Sequence, residues 1–232
     1  MNYYNKIMTF VFLLLGQYVL ADVSEMFTVF SMYLKKPCEV GEIAPMSHAV
    51  GKELVKYVRS YSLNETSKGK HYLEAGGGCG AISIAIAQTL RPCDHLDVIE
   101  INPHMCRILT ERLKSYKNVS VHCCSILDWA PAYQYDAIIS TLPFLSLGID
   151  FAKDTMCHFK TVAAHNCIVS CVEYPIAVVF RNVVCNLRIK DTGFTEVQRY
   201  MAELRKQYLI ESATIYYNVP PINVYHLSFD VR

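Results

Sequence analysis

From residue 70 onward, short and nearly continuous apolar runs are separated by longer segments whose apolar residues recur at helical spacing. The runs at 70–74, 95–99, 119–123, 136–140 and 166–172 read as strands, and the segments 80–90, 103–115 and 151–163 as helices. A helical region covers about 176–208, and SATIYY and INVYHLSF close the chain as two strands joined by the turn NVPP. Strands that are apolar on both faces and alternate with helices form a mostly parallel sheet covered on both sides. The turn between the last two strands is too short for a parallel crossover, so the last strand runs antiparallel. The predicted fold is therefore α/β: a doubly wound, mostly parallel seven-stranded sheet with an antiparallel last strand, plus N-terminal helices.

Upstream the pattern changes. Lys6 precedes fifteen mostly apolar residues, IMTFVFLLLGQYVLA, fewer than the roughly 20 a bilayer-crossing helix needs. Val19 and Ala21 stand where a signal-peptide cleavage site would have them. Three readings stay open: a secretory signal, a helix packed on the domain, and a membrane-surface or re-entrant anchor. Residues 22–36 read as a second helix with Met26, Val29, Phe30 and Tyr33 on one face, Lys35 and Lys36 near its end and Pro37 stopping it. A further helix is predicted over 47–59, capped by Ser47. The expected organisation is a helical, membrane-associating segment over 1–36 and one domain over 37–232.

Composition narrows the classes. With 52% hydrophobic and 19% charged residues, the chain has a globular composition. Its 22 basic and 21 acidic residues nearly cancel, so no global field recruits nucleic acid. The 10 cysteines include no CxxC pair and sit mostly in apolar runs, as small buried hydrophobes do in a reducing compartment. Cys157, His158, His165 and Cys167 match no ordinary zinc-ligand spacing, and no metal is expected.

The chemistry concentrates at LEAGGGCG, residues 73–80, which sets four glycines between the first strand and its helix. Such a turn lets backbone approach a ligand at the carboxyl ends of the strands. The second strand, DVIEIN, ends in Glu100, placed to accept hydrogen bonds from both hydroxyls of a ribose. Dinucleotide sites share these two features. However, GGGCGAIS lacks the third glycine of G-x-G-x-x-G, and Glu74 suits an ammonium or sulfonium better than a pyrophosphate.

LEAGGGCG followed by VIEIN resembles motifs I and II of the class I S-adenosylmethionine-dependent methyltransferases. More narrowly, the chain resembles the bacterial phospholipid N-methyltransferases, and more distantly the rRNA adenine dimethylases. VGEIAPMS at 40–47, STLPFLS at 140–146, VEYP at 172–175 and YNVPPINV at 217–224 carry the narrower likeness. The resemblance implies S-adenosyl-L-methionine as cofactor. It places Glu74, Gly76, Gly78 and Gly80 along the methionine side, Glu100 at the ribose and Ile101 beside the adenine. The third strand departs from the family pattern, because Cys124 stands where an aspartate would bind the adenine amine. Adenine recognition then falls on backbone around Ser125 and Ile126, with Asp128 a weaker replacement. Gly77 and Cys79 replace the family's usual proline and threonine without removing the turn.

On the same basis the activity expected is methyl transfer to the amine of phosphatidylethanolamine, with Thr141, Tyr174 and Asn218 as the catalytic residues. The developing methylated ammonium calls for carbonyl oxygens and aromatic faces, and Leu142, Pro143 and Phe144 complete the TLPF turn that supplies them. Phe144 and Tyr174 each have a plain reading as packing residues, and Asn218 one as an Asx-turn residue. Phe10, Phe12, Leu13 and Leu14, with tyrosines at 3, 4 and 18, suit an apolar approach to lipid, and Lys35, Lys36 and Arg181 suit its phosphate. The expected location is cytoplasmic, at or anchored to the cytoplasmic side of a membrane, with a phospholipid as the partner and no nucleic acid. The competing functions are an rRNA adenine N-methyltransferase and an inactive, membrane-tethered nucleotide-binding protein.

Overall fold

The computed structural model describes residues 46–63, 68–173, 194–218 and 221–230. All belong to one unit, Ala44–Arg232. The readings of 1–36, most of VGEIAPMS, Arg181 and Tyr174 lie outside the described residues.

Two short helices, α1 (His48–Leu54) and α2 (Lys56–Leu63), precede an alternation of strands and helices. This runs β1 (His71–Ala75), α3 (Ala81–Ala87), β2 (His95–Glu100), α4 (Pro103–Leu113), β3 (Val119–Cys123) and β4 (Tyr135–Ser140). Then come α5 (Phe144–Leu147), α6 (Ile149–Val162), β5 (Ala163–Glu173), α7 (Phe194–Tyr208), β6 (Leu209–Ile215) and β7 (Ile222–Ser228). The sheet has seven strands in the order β3-β2-β1-β4-β5-β7-β6. β7 is antiparallel to both its neighbours, and the remaining pairings are parallel, as the short final connection requires.

Alternation along the strands sends side chains to two apolar layers. Tyr72, Leu96, Val98, Ala137, Ile139 and Val224 pack with Val50 and Leu54 of α1, Ile82 and Ile86 of α3 and Leu109 of α4. Leu73, Ala75, Ile99, Ile138, Val169 and Leu227 pack on the other face with Met156 and Phe159 of α6 and Met201 and Leu204 of α7. Both clusters are almost wholly removed from water, the main favourable term in holding the layers together.

Several boundaries move for local reasons. The helix expected over 47–59 breaks at Val55, whose φ of −90° and ψ of 9° leave the helical range. Ser47 caps α1 as expected, accepting from the Val50 amide at 3.4 Å. The TLPF turn continues into the short helix α5, Phe144–Leu147. Tyr216 and Tyr217 are turn residues and not the end of a strand, because Ile215 pairs with Ile222 and the residues between them close the hairpin. Seven of the described cysteines are free thiols, and Cys79 is disulfide-bonded, which their reading as core hydrophobes did not anticipate.

Candidate active site

The switch in strand order lies between β1 and β4, and the glycine turn leaves β1 at that point. Ligands of open α/β sheets bind where the connections part in this way. The turn is tied tightly to β2: the amides of Gly76 and Gly77 donate to the Ile99 carbonyl at 2.9 and 3.2 Å, and the Gly80 amide donates to Gly77 O at 2.9 Å. Gly77 has no room for a side chain, because a Cβ would stand 2.4 Å from Val98 Cγ1 and 2.9 Å from Leu109 Cδ1. At Gly78, with φ of +52°, a Cβ would meet nothing within 4 Å. One glycine is thus required by packing below the turn, and the other lies open above it. Gly76 lies against Thr141 and Leu142, and Gly80 begins α3 in a left-handed conformation.

Glu100 ends β2 with both carboxylate oxygens facing backbone donors. Oε2 accepts from the Gly78 amide at 2.9 Å and Oε1 from the Asn102 amide at 2.8 Å. The carboxylate that reads as a ribose clasp therefore also holds the glycine turn. A carboxylate offers about four acceptor sites, so these bonds leave capacity for two hydroxyls. Ile101, the next residue, is 69% exposed, an open apolar surface at the end of β2.

Glu74 is buried against its charge. Its side chain is wholly buried, and neither carboxylate oxygen has a hydrogen-bond partner among the described residues. Burial pushes its carboxyl up to about 8; nearby Ser83 works in the opposite direction, and the charge of Glu100 adds to the rise. The Ser83 hydroxyl stands outside hydrogen-bond geometry and is itself unpaired. An unpaired buried carboxyl is costly, and its natural complement is a cation. The buried oxygens and the open turn at Gly78 thus fit a ligand that carries an ammonium and lies over the turn.

At β3 the register ends at Glu100↔Cys123, and Cys124, Ser125 and Ile126 continue the chain from that point, as Ile101 continues it from β2. Ser125 folds back on itself: its Oγ accepts from the Leu127 amide at 3.2 Å and its carbonyl from the Asp128 amide at 3.1 Å. The Ile126 side chain is buried in the core, so only its peptide groups can face a ligand. Burial raises the Cys124 thiol, keeping it neutral and a weak acceptor. Asp128 is exposed.

The acceptor side differs from expectation. Thr141 Oγ1 donates to the Gly76 carbonyl at 2.6 Å, and its amide donates to the Ala75 carbonyl at 3.1 Å, which ties β4 to the glycine turn. Pro143, at φ −81° and ψ 69°, makes an inverse γ-turn in which the Phe144 amide donates to Leu142 O at 2.9 Å. That occupies one of the carbonyls expected to face a substrate. The Phe144 ring is only 4% exposed and packs in the core, so it follows the plain reading. Asn218 is also buried, with Oδ1 accepting from the Ser47 amide at 2.9 Å. It joins the β6–β7 turn to the cap of α1 across 171 residues of sequence. The contact brings the end of VGEIAPMS against YNVPPINV, a meeting that spacing alone could not reveal. Tyr216 and Tyr217 project from the same turn, 75% and 94% exposed.

No protein-family model matches the sequence, and no curated protein is similar to it. Solved structures are similar in fold. The O-methyltransferase TomG from Streptomyces achromogenes, in complex with SAM, is 18% identical with a TM-score of 0.60, covering 84% of this chain and 86% of its own. An O-methyltransferase from Bacillus cereus, in complex with SAH, is 12% identical with a TM-score of 0.60, covering 87% and 90%. The N-methyltransferase NodS from Bradyrhizobium japonicum WM9, in complex with S-adenosyl-L-homocysteine, is 16% identical with a TM-score of 0.57, covering 80% and 88%. The chain has the class I S-adenosylmethionine-dependent methyltransferase fold.

Proposed function

We propose that the chain transfers a methyl group from S-adenosylmethionine to the amine of phosphatidylethanolamine at a membrane surface. The observation that carries the donor assignment is Glu74, a wholly buried carboxyl with both oxygens unpaired among the described residues, at the end of the strand that leads into the open glycine turn. Contact with an ammonium would restore its charge and offset its burial. Glu100 keeps lone pairs for the ribose, Ile101 offers apolar surface to the base, and the peptide groups of Ser125 and Ile126 face its edge. When bound, S-adenosylmethionine supplies a methyl group on a sulfonium, poised for in-line displacement. The complexes of three fold neighbours with SAM or its demethylated product support the same donor.

The acceptor assignment rests on the sequence landmarks and on the edge they form. The Thr141 hydroxyl commits its proton to Gly76 O, so its oxygen is left to accept from a substrate N–H. An aminoethyl headgroup begins as an ammonium and must shed a proton before its lone pair can attack. The protein's work is to orient that lone pair and exclude water. Tyr216 and Tyr217, amphipathic and exposed beside the site, suit a lipid interface. The full chain should be incubated with methyl-labelled S-adenosylmethionine and phosphatidylethanolamine liposomes. The expected result is label in the lipid; saturable binding of the cofactor without lipid label would overturn the acceptor, and no saturable binding the donor.

A further inference from the structure

The connection between β3 and β4 is anchored on a single buried carboxylate, Asp97 in the middle of β2. Tyr133 and Tyr135 donate to its Oδ2 at 2.6 and 2.9 Å, His122 Nε2 stands 2.7 Å from Oδ1, and His95 Nε2 stands 3.4 Å from it. The network extends one step further on each side. Trp129 Nε1 donates to the Tyr135 hydroxyl at 2.8 Å, its ring lies 4.0 Å from that of His122, and His71 stacks on Tyr133 at 3.8 Å. Burial works against the charge of Asp97, yet the hydrogen bonds from Tyr133, His122 and Tyr135 hold it below the usual carboxylate range. A buried carboxylate satisfied by this many donors is a stiff anchor.

Trp129 and Tyr133 lie on the segment that leaves Cys123 beside Glu100, turns at Ser125–Asp128 and re-enters the sheet at Tyr135; His122 and Tyr135 stand at its two ends in β3 and β4, and His95 and His71 belong to β2 and β1. The segment carries no side-chain acceptor at Cys124. Base recognition therefore depends on where the peptide groups of Ser125 and Ile126 are held; their turn is closed by the Asp128 amide, and the next residue, Trp129, is fixed by the Tyr135 hydroxyl and the His122 ring.

We propose that Asp97 is the positioning residue for the adenine side of the donor site, setting base selectivity through Tyr133, Tyr135 and the His122–Trp129 pair without touching the ligand. The inference rests on the donor reading above. It gives the charge at residue 97 a purpose that packing alone would not need, because packing of the same rings requires none.

Trp129 is the chain's one tryptophan, so its emission reports on this segment alone. The full chain and the variants D97N and Y133F are titrated with S-adenosylhomocysteine and with S-inosylhomocysteine, which differs only at the base. Binding is followed by calorimetry and by Trp129 emission. The wild type is expected to prefer the adenine ligand and to change its emission on binding. D97N should lose about tenfold in affinity for the adenine ligand, the worth of one misplaced hydrogen bond, and much less for the inosine ligand, so the preference shrinks. Y133F keeps the ring packing and the other two donors, and should shift the preference the same way by a smaller factor. Variants that melt lower or bind both ligands equally more weakly, with the wild-type preference intact, would overturn the positioning role alone. A wild type that binds neither ligand would overturn it together with the donor reading.

Discussion

The ends of β1 and β2 and the ends of β4 and the β6–β7 hairpin share one edge of the sheet, yet they are built on different plans. On the donor side the ends of two adjacent strands do most of the work: Gly76 and Gly77 bond to Ile99, and Gly78 bonds to Glu100. Among the described residues, the Glu74 carboxyl and the Ser83 hydroxyl are left without a hydrogen-bond partner. On the acceptor side Thr141 is engaged with Gly76 and Asn218 with Ser47, while the buried Ser140 hydroxyl has no hydrogen-bond partner among the described residues. The donor half is thus a preformed socket with a vacancy in its electrostatics. The acceptor half is a frame whose polar groups hold distant segments together. A common donor can be met by a short local motif, whereas the surface that selects an acceptor is assembled from across the chain.

The sharpest way to break this contrast is at Glu100. Glu100→Ala removes two backbone hydrogen bonds to a carboxylate together with the ribose clasp, and affinity for S-adenosylhomocysteine should fall by at least about 100-fold in calorimetry. A loss under tenfold would mean that the turn holds without it. Asn218→Ala should act on the other half. It leaves the Ser47 amide unpaired and should cost about 1–2 kcal/mol of stability in chemical denaturation, while S-adenosylhomocysteine binding stays at the wild-type level. Weakened binding in that variant would erase the distinction between the halves. Thr141→Val tests the side-chain tie between them, the hydrogen bond to Gly76 O. Turnover should drop roughly fivefold with a smaller change in donor affinity, a split that steady-state kinetics resolves.

The smallest expected effect is a pH dependence on the acceptor side of the sheet. His226 is fully buried, with Nδ1 2.8 Å from Ser170 Oγ and Nε2 3.2 Å from Glu53 Oε1. Burial lowers its pKa despite the opposing pull of Glu53, with Lys56 adding to the fall and Glu211 opposing it. The unfolded chain therefore takes up the proton first. The stability tied to a neutral His226 is present above about pH 6.5 and is lost as the pH falls below it. Thermal melting of the unliganded protein should decline below that pH, and His226→Gln should flatten part of the decline.

Much of this was legible from sequence because it is local. Strand periodicity gave the sheet, the short last connection gave the antiparallel strand, and the spacing of LEAGGGCG and Glu100 brought the donor residues to one edge. Gly77 looked like a tolerated replacement, but Val98 and Leu109 leave space for nothing larger. Phe144 could not be assigned from pattern because a ring beside a turn serves core and substrate equally well; its burial decides for the core. Asn218 and Ser47 lie too far apart in sequence for spacing to pair them. The role of Asp97 was hidden for a related reason: an aspartate inside an apolar strand signals only that partners exist, and its partners come from β3 and the connection to β4.

The central claim is that Glu74 waits, largely protonated, for the ammonium of the donor. Because burial holds its carboxyl at about 8, it carries a proton near pH 7 and would lose it on meeting a cation. Titration of S-adenosylhomocysteine at pH 7 in buffers of differing ionisation enthalpy measures that proton directly. The account predicts release of nearly one proton per ligand bound by the wild type and close to none by Glu74→Gln; binding without proton release in the wild type, or equal release in both, would contradict it.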